Sequence, residues 1–180
     1  MKRNCIFKMA IVAIAVMVSL GAYAQEESKM AAGADVGVLL RDGATNFSIG
    51  AKFQYDVTKV IRGSGEFNYF LDGGGFWDLN VNGHYLIDLP TPKLKVYPLA
   101  GLSVVGFGGG GLVEYYDPIE EIWVVEEAGG GSSTFIGFNL GGGVQYELKS
   151  NILLQGELKY RIGNGAIAGV GLSVGVAYKF

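Results

Sequence analysis

Apolar residues alternate with polar or small residues, with a period of two, through most of this chain. The alternation is strictest in residues 167–180, which read IAGVGLSVGVAYKF. Because successive side chains of a β-strand point to opposite faces, one face of this segment carries large apolar and aromatic side chains and the other carries mainly Gly, Ser and Ala. The small face could not fill a sizeable interior, so the pattern indicates a strand whose apolar face meets lipid.

Seven earlier segments alternate in the same way. We expect strands at Met30–Leu40, Asn46–Asp56, Val60–Leu71, Phe76–Asp88, Lys93–Val105, Thr134–Glu147 and Ile152–Ile162, before the last one at Ile167–Phe180. The parity of the fifth strand stays open, because Tyr97 and Leu99 compete with Val96, Ala100 and Leu102 for the apolar face. No run after residue 24 is long and apolar enough for a spanning helix. The sequence therefore predicts an all-β fold, an eight-stranded antiparallel transmembrane up-and-down β-barrel.

The connections and the aromatic residues fit such a barrel. With both chain ends on the periplasmic side, the connections at residues 57–59, 89–92 and 148–151 are short periplasmic turns, whereas residues 106–133 form a long extracellular loop. Outward aromatic residues recur eight positions apart in three strands: Phe47 and Tyr55, Trp77 and Tyr85, Phe138 and Tyr146. Eight residues of a tilted strand cover about 20 Å of membrane, so we expect these residues to form girdles beside the apolar band.

Residues 1–24 have the pattern of a secretory signal peptide. Basic residues precede an apolar core, and Ala22-Tyr23-Ala24 forms a small-residue cleavage site. We expect cleavage to leave residues 25–180 as one outer-membrane β-barrel domain; the alternative, a helical membrane anchor, needs about 20 apolar residues. Cys5 is the only cysteine, so the cleaved chain would have no thiol. It would carry 11 basic and 17 acidic residues, a formal net charge of −6, which argues against a nucleic-acid partner.

The final strand resembles that of the small outer-membrane β-barrel family, the OmpA/OmpX-like barrels. The matching residues are Ser173, Gly175, Tyr178 and Phe180, which correspond to the family's C-terminal assembly signal. The resemblance implies recognition by the barrel-assembly machinery and a location in the bacterial outer membrane, in contact with its lipid. It also implies a monomer without a cofactor, and a structural or surface-interaction (adhesion-like) role.

An eight-stranded barrel is about wide enough for its own side chains to fill it. Its inward positions here are charged, namely Asp35, Lys52, Arg62, Glu66, Asp78, His84, Glu157, Lys159 and Arg161. Buried charges persist only when they are paired and hydrogen-bonded, so we expect a polar network that fills the lumen. Two alternatives stay open: a small porin-like pore, and a soluble lipocalin-like ligand carrier, which would need its apolar face inside.

The sequence does not favour catalysis. Some small outer-membrane barrels are lipid A acyl-transferring or deacylating enzymes, whose chemistry needs an activated hydroxyl beside a histidine and an oxyanion site. His84 is the only histidine; it lies near the expected periplasmic end of its strand, and no serine with convincing helper residues stands on a neighbouring strand. We therefore expect no enzymatic activity. One histidine is also insufficient for a zinc site, and the glycine run 108–111 lacks the lysine and the helix of a phosphate-binding loop.

The long loop at residues 106–133 is the most unusual surface feature. No basic residue occurs between Lys95 and Lys149, whereas the loop contains six acidic ones. We expect the segment Glu121 to Glu126 to continue strands five and six above the membrane, where an exposed strand edge can pair with an extracellular protein. The candidates for this interaction are Tyr115, Tyr116, Glu120, Glu121 and Trp123. The alternatives are a solvated loop and divalent-cation binding that bridges to lipopolysaccharide phosphates, although the spacing matches no defined calcium loop.

Overall fold

A computed structural model describes residues 29–41, 43–71, 76–108, 133–165 and 167–180, together with the backbone of residues 112–117 and 122–127. Its strands are β1 (Met30–Arg41), β2 (Ala44–Asp56), β3 (Ile61–Phe70), β4 (Phe76–Tyr85), β5 (Ile87–Asp88), β6 (Leu94–Phe107), β7 (Leu112–Asp117), β8 (Ile122–Glu127), β9 (Ser133–Lys149), β10 (Ile152–Ile162) and β11 (Gly169–Lys179). This part of the chain contains no helix of the length and hydrophobicity that a membrane span requires. The predicted signal peptide lies outside the described residues.

The main sheet closes on itself. Its order is β4-β3-β2-β1-β11-β10-β9-β6, and β4 also pairs with β6. All of these pairings are antiparallel, and the seam between the first and last strands runs from Ala31 opposite Lys179 to Leu40 opposite Val170. The two-residue strand β5 extends β4 along β6, so the barrel has eight strands. The predicted fold class is confirmed.

Most strand ends differ from the predicted ones by one or two residues, and two of the differences have a clear physical reason. The fourth strand is interrupted at Leu86, although its register with β6 is unchanged: His84 faces Leu99, and Ile87 faces Val96. This register places Tyr85 opposite Pro98, and proline has no N–H to donate to the ladder. The first turn is shorter than predicted, because β1 and β2 approach within three residues and Gly43 takes a φ of +79°, a conformation open to glycine.

The barrel is apolar outside and mainly polar inside. Among the described residues, eighteen polar or charged side chains are buried, against eleven apolar ones. Large apolar side chains on the outer face are widely exposed, for example Ile136 at 70% and Val174 at 58%. In a soluble barrel the apolar face of each strand points inward. Here the apolar faces point outward, as in barrels that face lipid.

The parity of the fifth predicted strand is now defined. Tyr97 and Leu99 point inward and are buried, whereas Leu102 is half exposed on the outer face. Small residues on the next strand make room for the two inward side chains, because Tyr97 lies opposite Gly143 and Leu99 lies opposite Gly141.

Apolar side chains collect near both ends of the lumen. We call the end with the turns at residues 57–60, 89–93 and 150–151 the short-turn end, and the opposite end the long-loop end. The upper cluster, at the long-loop end, comprises Leu39, Phe70, Phe76, Val105 and Ile167, with Phe107 and Phe135 packed against it. The lower cluster, at the short-turn end, comprises Leu86, Tyr97 and Leu99. The polar side chains lie mostly between them.

Candidate functional site

The middle of the lumen holds four side chains of alternating charge, Lys52, Glu66, Glu157 and Lys159, which we call the central ion cluster. Lys52 Nζ lies 2.7 Å from Glu157 Oε1 and 3.4 Å from Glu66 Oε1. Lys159 Nζ donates to Glu66 Oε2 and lies 3.3 Å from Glu157 Oε2. Each buried charge therefore has two partners of opposite sign, which is the arrangement that compensates for lost hydration.

The central ion cluster joins opposite walls of the barrel. Lys52 and Glu66 are register partners on β2 and β3, and Glu157 and Lys159 are successive inward residues of β10. In the ring of eight strands, β3 and β10 are four positions apart. Asp35 on β1 is buried beside the cluster and lines a cavity of about 10 Å³ together with Lys52 and Glu157.

A second ion pair lies between the central ion cluster and the upper cluster. Arg161 Nη2 donates to Asp78 Oδ2 across the lumen. The amides of Asn68 and Asn80 donate to Asp78 Oδ1 at 2.7 and 2.6 Å. Three donors therefore replace the hydration that this completely buried carboxylate has lost.

A third group lies toward the short-turn end. Arg62 Nε and Nη2 donate to the two carboxylate oxygens of Asp56 at 2.5 and 3.1 Å. Arg62 Nη1 donates to Gln145 Oε1 at 2.5 Å, and Gln155 Nε2 donates to Gln145 and Gln54. All nine predicted lumen residues are thus buried or nearly so, and eight of them make ion pairs or side-chain hydrogen bonds with other lumen residues.

His84 has a serine neighbour that the sequence analysis did not recognise. Ser64 Oγ on β3 lies 3.1 Å from His84 Nε2 on β4, and it donates to Glu66 Oε1 at 3.2 Å. A serine thus stands on the strand next to His84, and what decides its chemistry is the direction of these two hydrogen bonds. A hydroxyl has one hydrogen, so a serine that donates to Glu66 receives its second hydrogen bond from the histidine and is not activated by it. His84 Nδ1 has no hydrogen-bond partner among the described residues, so no acid orients the ring as in a triad.

His84 also belongs to a group with metal-ligand chemistry. The ligand atoms of Glu66, His84 and Glu157 lie within 4.8 Å of one another. However, both carboxylates already face the ammoniums of Lys52 and Lys159, and Glu157 Oε1 also accepts from Tyr97 Oη at 2.8 Å. A dication would have to displace those partners, so the arrangement suits an ion-pair network better than a metal centre.

The lumen is tightly filled. A cavity between Asn68, Asp78 and Arg161 measures about 40 Å³, room for only a few water molecules. Above it, the rings of Phe70 and Phe76 stack at 4.1 Å, and Arg41 Cζ lies 5.2 Å from the centroid of Phe76. In the described part of the chain, the two cavities between the upper and lower clusters, of about 40 and 10 Å³, are therefore too small for a ligand.

Comparison with known proteins places this geometry among solved barrels. No protein-family model and no curated protein matches the sequence. The N-terminal β-barrel domain of Pseudomonas aeruginosa OprF is similar with a TM-score of 0.65 and 15% identity, over 87% of this chain and 100% of that one. Neisserial surface protein A is similar with a TM-score of 0.59 and 22% identity, over 84% of this chain and 96% of that one.

A third similar structure is Ail, the attachment invasion locus protein of Yersinia pestis, solved in complex with the heparin analogue sucrose octasulfate. Its TM-score is 0.54 and its identity 15%, over 84% of this chain and 96% of that one. This chain has the fold of the small outer-membrane barrels. At these identities the similarity is one of backbone fold. The chemistry of the lumen follows from this chain's own residues.

The predicted interaction residues fall in a hairpin of their own. Tyr115 and Tyr116 lie on β7 and Trp123 lies on β8, with Tyr116 opposite Trp123. Strands β7 and β8 pair with each other in a two-stranded sheet, and in the chain they lie between β6 and β9. The expected continuation of strands five and six stays a prediction, because the residues that join the hairpin to these strands lie outside the described ones. Glu120 and Glu121 lie outside the described residues.

The four residues of the predicted assembly signal lie along β11 and just beyond it. Ser173 and Gly175 face the lumen, whereas the ring of Tyr178 is exposed on the outer face. Phe180 follows the strand, and its N–H donates to the carbonyl of Met30 at 3.0 Å, which ties the C-terminal end to the first strand.

Several residues of the polar interior were not named as candidates. Tyr97 was missed because its parity was open, and the glycine at position 143 opposite it was the available signal. Amides were passed over although their inward parity was clear: Asn139 Nδ2 donates to both Asn80 Oδ1 and Asn82 Oδ1, at 2.9 and 3.0 Å. These bonds link β9 to β4 over the strand between them, β6, where Gly101 is the register partner of both Asn82 and Asn139.

Proposed function

We propose that this protein is an integral outer-membrane barrel with a structural and surface-interaction role, whose lumen is closed by its own side chains. One observation carries the proposal: the exposed apolar belt surrounds a mainly polar interior. A protein with such a surface would be insoluble in water, whereas in a bilayer the apolar belt contacts the acyl chains. The closed barrel also leaves no strand edge with unpaired backbone N–H and C=O groups in the lipid.

The proposal is tested by fractionation and gel mobility. We expect the protein in the detergent-extracted outer-membrane fraction, and we expect unboiled samples to migrate differently from boiled ones because the folded barrel resists the detergent. Recovery in the soluble periplasmic fraction would support a lipocalin-like carrier instead and would contradict the proposal. The charged side chains that face the lumen argue against an apolar ligand cavity inside this barrel.

The hairpin β7–β8 supports the surface-interaction part. Its two strands pair with each other in a sheet separate from the barrel, so each strand has an edge that a foreign strand could join. The loop at residues 106–133 contains six acidic residues and no basic ones. A polyanion such as the heparin analogue bound by Ail is therefore disfavoured here, and an extended segment rich in basic residues is the better match.

This role is tested by deleting residues 109–130. We expect cells with the shortened protein to lose adhesion to host-matrix or cell-surface proteins, while barrel assembly is retained. A matched control replaces the outward Leu102 by Val and leaves the loop intact. Equal adhesion of the full-length and shortened proteins would remove the hairpin from the proposal without affecting the membrane assignment.

A further inference from the structure

The short-turn end contains a cavity that lies outside the central ion cluster and the ion pair of Arg161 and Asp78. It measures about 660 Å³ and is lined by residues of the turns and strand ends there. We call it the short-turn vestibule. Its volume is typical of sites for small ligands, and it is more than ten times larger than the cavity among Asn68, Asp78 and Arg161.

The vestibule is closed at its inner end. Leu86 lines it and packs with Tyr97 and Leu99 in the lower cluster. Arg62 also lines it, and its guanidinium is held by Asp56 and Gln145. Since these groups are buried and paired, they close the inner end of the vestibule. The vestibule can therefore hold a ligand, but it does not lead into a channel.

The lining carries an excess of positive charge. Its basic residues are Lys29, Lys59, Arg62, Lys95 and Lys179, and its acidic residues are Asp56 and Asp88.

Both acids and two of the bases are used in ion pairs. Asp56 is bound by Arg62, and Asp88 Oδ1 lies 3.0 Å from Lys95 Nζ. A third base, Lys179, lies 3.5 Å from the nearby Glu147. Among the described residues, Lys29 and Lys59 have no ion-pair partner within 4.0 Å. About two positive charges are therefore left uncompensated around one cavity.

This excess of positive charge contrasts with the net negative charge of the chain. The full sequence is acidic, with 17 acidic and 14 basic residues. Even so, among the residues that the structure describes, the short-turn end has seven basic residues, the five named above with Lys93 and Lys149, against the three acids Asp56, Asp88 and Glu147. Like charges gathered around a low-dielectric cavity focus a field that attracts anions.

We propose that the short-turn vestibule binds a small phosphate-bearing anion with about two negative charges, held chiefly by Lys29 and Lys59. A phosphate monoester carries a charge of about −1.5 to −2 near neutral pH, which matches the excess of two ammoniums, and lysine is a common phosphate ligand. Such a phosphate could belong to a soluble compound or to the headgroup of an anionic lipid at the membrane edge. The inference goes beyond the proposed function and does not depend on which end faces the periplasm.

The test uses two double variants with the same change in charge. Lys29→Gln/Lys59→Gln removes the two unpaired lysines of the vestibule, whereas Lys93→Gln/Lys149→Gln removes two exposed lysines of the same end that do not line it. For the soluble source, inorganic pyrophosphate is titrated calorimetrically into the full chain, folded in a zwitterionic detergent. For the lipid source, native mass spectrometry counts the molecules of phosphatidic acid, whose headgroup is a phosphate monoester, and of phosphatidylcholine that remain bound after release from nanodiscs.

We expect the vestibule variant to weaken pyrophosphate binding, or retention of phosphatidic acid, about tenfold or more, and the control variant to change it less than about twofold. Pyrophosphate binding identifies a soluble ligand, and selective retention of phosphatidic acid alone identifies a headgroup. Equal effects of the two variants, or no binding of either probe by the unaltered protein, would overturn the inference. Gel mobility of each sample reports barrel folding separately, so failure here is distinct from failure of the membrane assignment.

Discussion

At the residue scale, the interior is governed by the cost of burying charge. In the central ion cluster two ammoniums and two carboxylates cancel, and the contacts of Lys52 at 2.7 and 3.4 Å reach both glutamates. Removing one member leaves an uncompensated buried charge, which costs far more than the net stabilisation the intact cluster provides. The exposed pair of Lys95 and Asp88 has similar geometry but is surrounded by water.

Lys52→Met therefore lowers the free energy of unfolding by about 3–5 kcal/mol, whereas Lys95→Met lowers it by about 1 kcal/mol or less. Urea unfolding of the barrel in lipid vesicles, followed by tryptophan fluorescence, measures both. The double change Lys52→Met/Glu157→Gln should recover part of the loss, because it restores the charge balance. Equal costs at Lys52 and Lys95 would contradict a central role for buried charge.

Two glycines on opposite faces provide a second residue-scale prediction. A Cβ atom at Gly143 would lie 2.5 Å from Tyr97 Cζ, whereas a Cβ at Gly65 would meet no atom within 4 Å. Gly143→Ala should therefore destabilise the barrel by about 1–3 kcal/mol through overpacking. Gly65→Ala should be neutral or stabilising by about 0.5–1 kcal/mol, since it restricts the unfolded chain. The same urea assay decides, and a neutral Gly143→Ala would show that Tyr97 does not occupy its place against β9.

At the element scale, alternation predicted the strands well because one face of each is lipid-facing and apolar, and a slip of one residue would exchange the faces. The seventh predicted strand, Ile152–Ile162, matches β10 at both ends. Prediction was weakest where side-chain size decides the outcome: the inward position of Tyr97 depends on a glycine of another strand. The pairing of Ser64 with His84 likewise depends on a register that a single sequence does not reveal.

The separate pairing of the hairpin leads to an element-scale prediction. Since β7 and β8 pair with each other and β6 pairs directly with β9 up to Phe107 opposite Ser133, deletion of residues 109–130 should leave the urea midpoint of the barrel nearly unchanged. Gel mobility of unboiled samples provides an independent measure of folding. Loss of the folded band would mean that the hairpin is part of the barrel's stability.

At the scale of the whole molecule, apolar clusters near both ends enclose a filled polar interior. The lumen cavity of about 40 Å³ is too small for a hydrated ion to pass. Charge composition indicated an occupied lumen from the sequence, but the cross-lumen partners of each charge required three-dimensional structure. The short-turn vestibule was likewise not predictable, because its five bases come from distant parts of the chain.

The closed lumen predicts electrical silence. In planar bilayers the unaltered protein should show no steady single-channel openings, because neither the upper cluster nor the cross-lumen ion pairs leave a water path. A known porin serves as the positive control for insertion and conductance. Reproducible steady conductance at low voltage would support the porin-like alternative and would contradict the filled lumen.

All of these conclusions depend on one orientation of the strands, with the apolar side chains toward lipid and the polar side chains toward the lumen. Spin labelling tests this orientation most directly. The only cysteine is Cys5, in the predicted signal peptide, so single labels can be introduced at Val174, which is exposed on the outer face, and at Ser173, which faces the lumen. In lipid vesicles the label at position 174 should collide freely with oxygen dissolved in the acyl chains, whereas the label at position 173 should be shielded from it. The opposite result, with the position 173 label in lipid and the position 174 label shielded, would contradict the account.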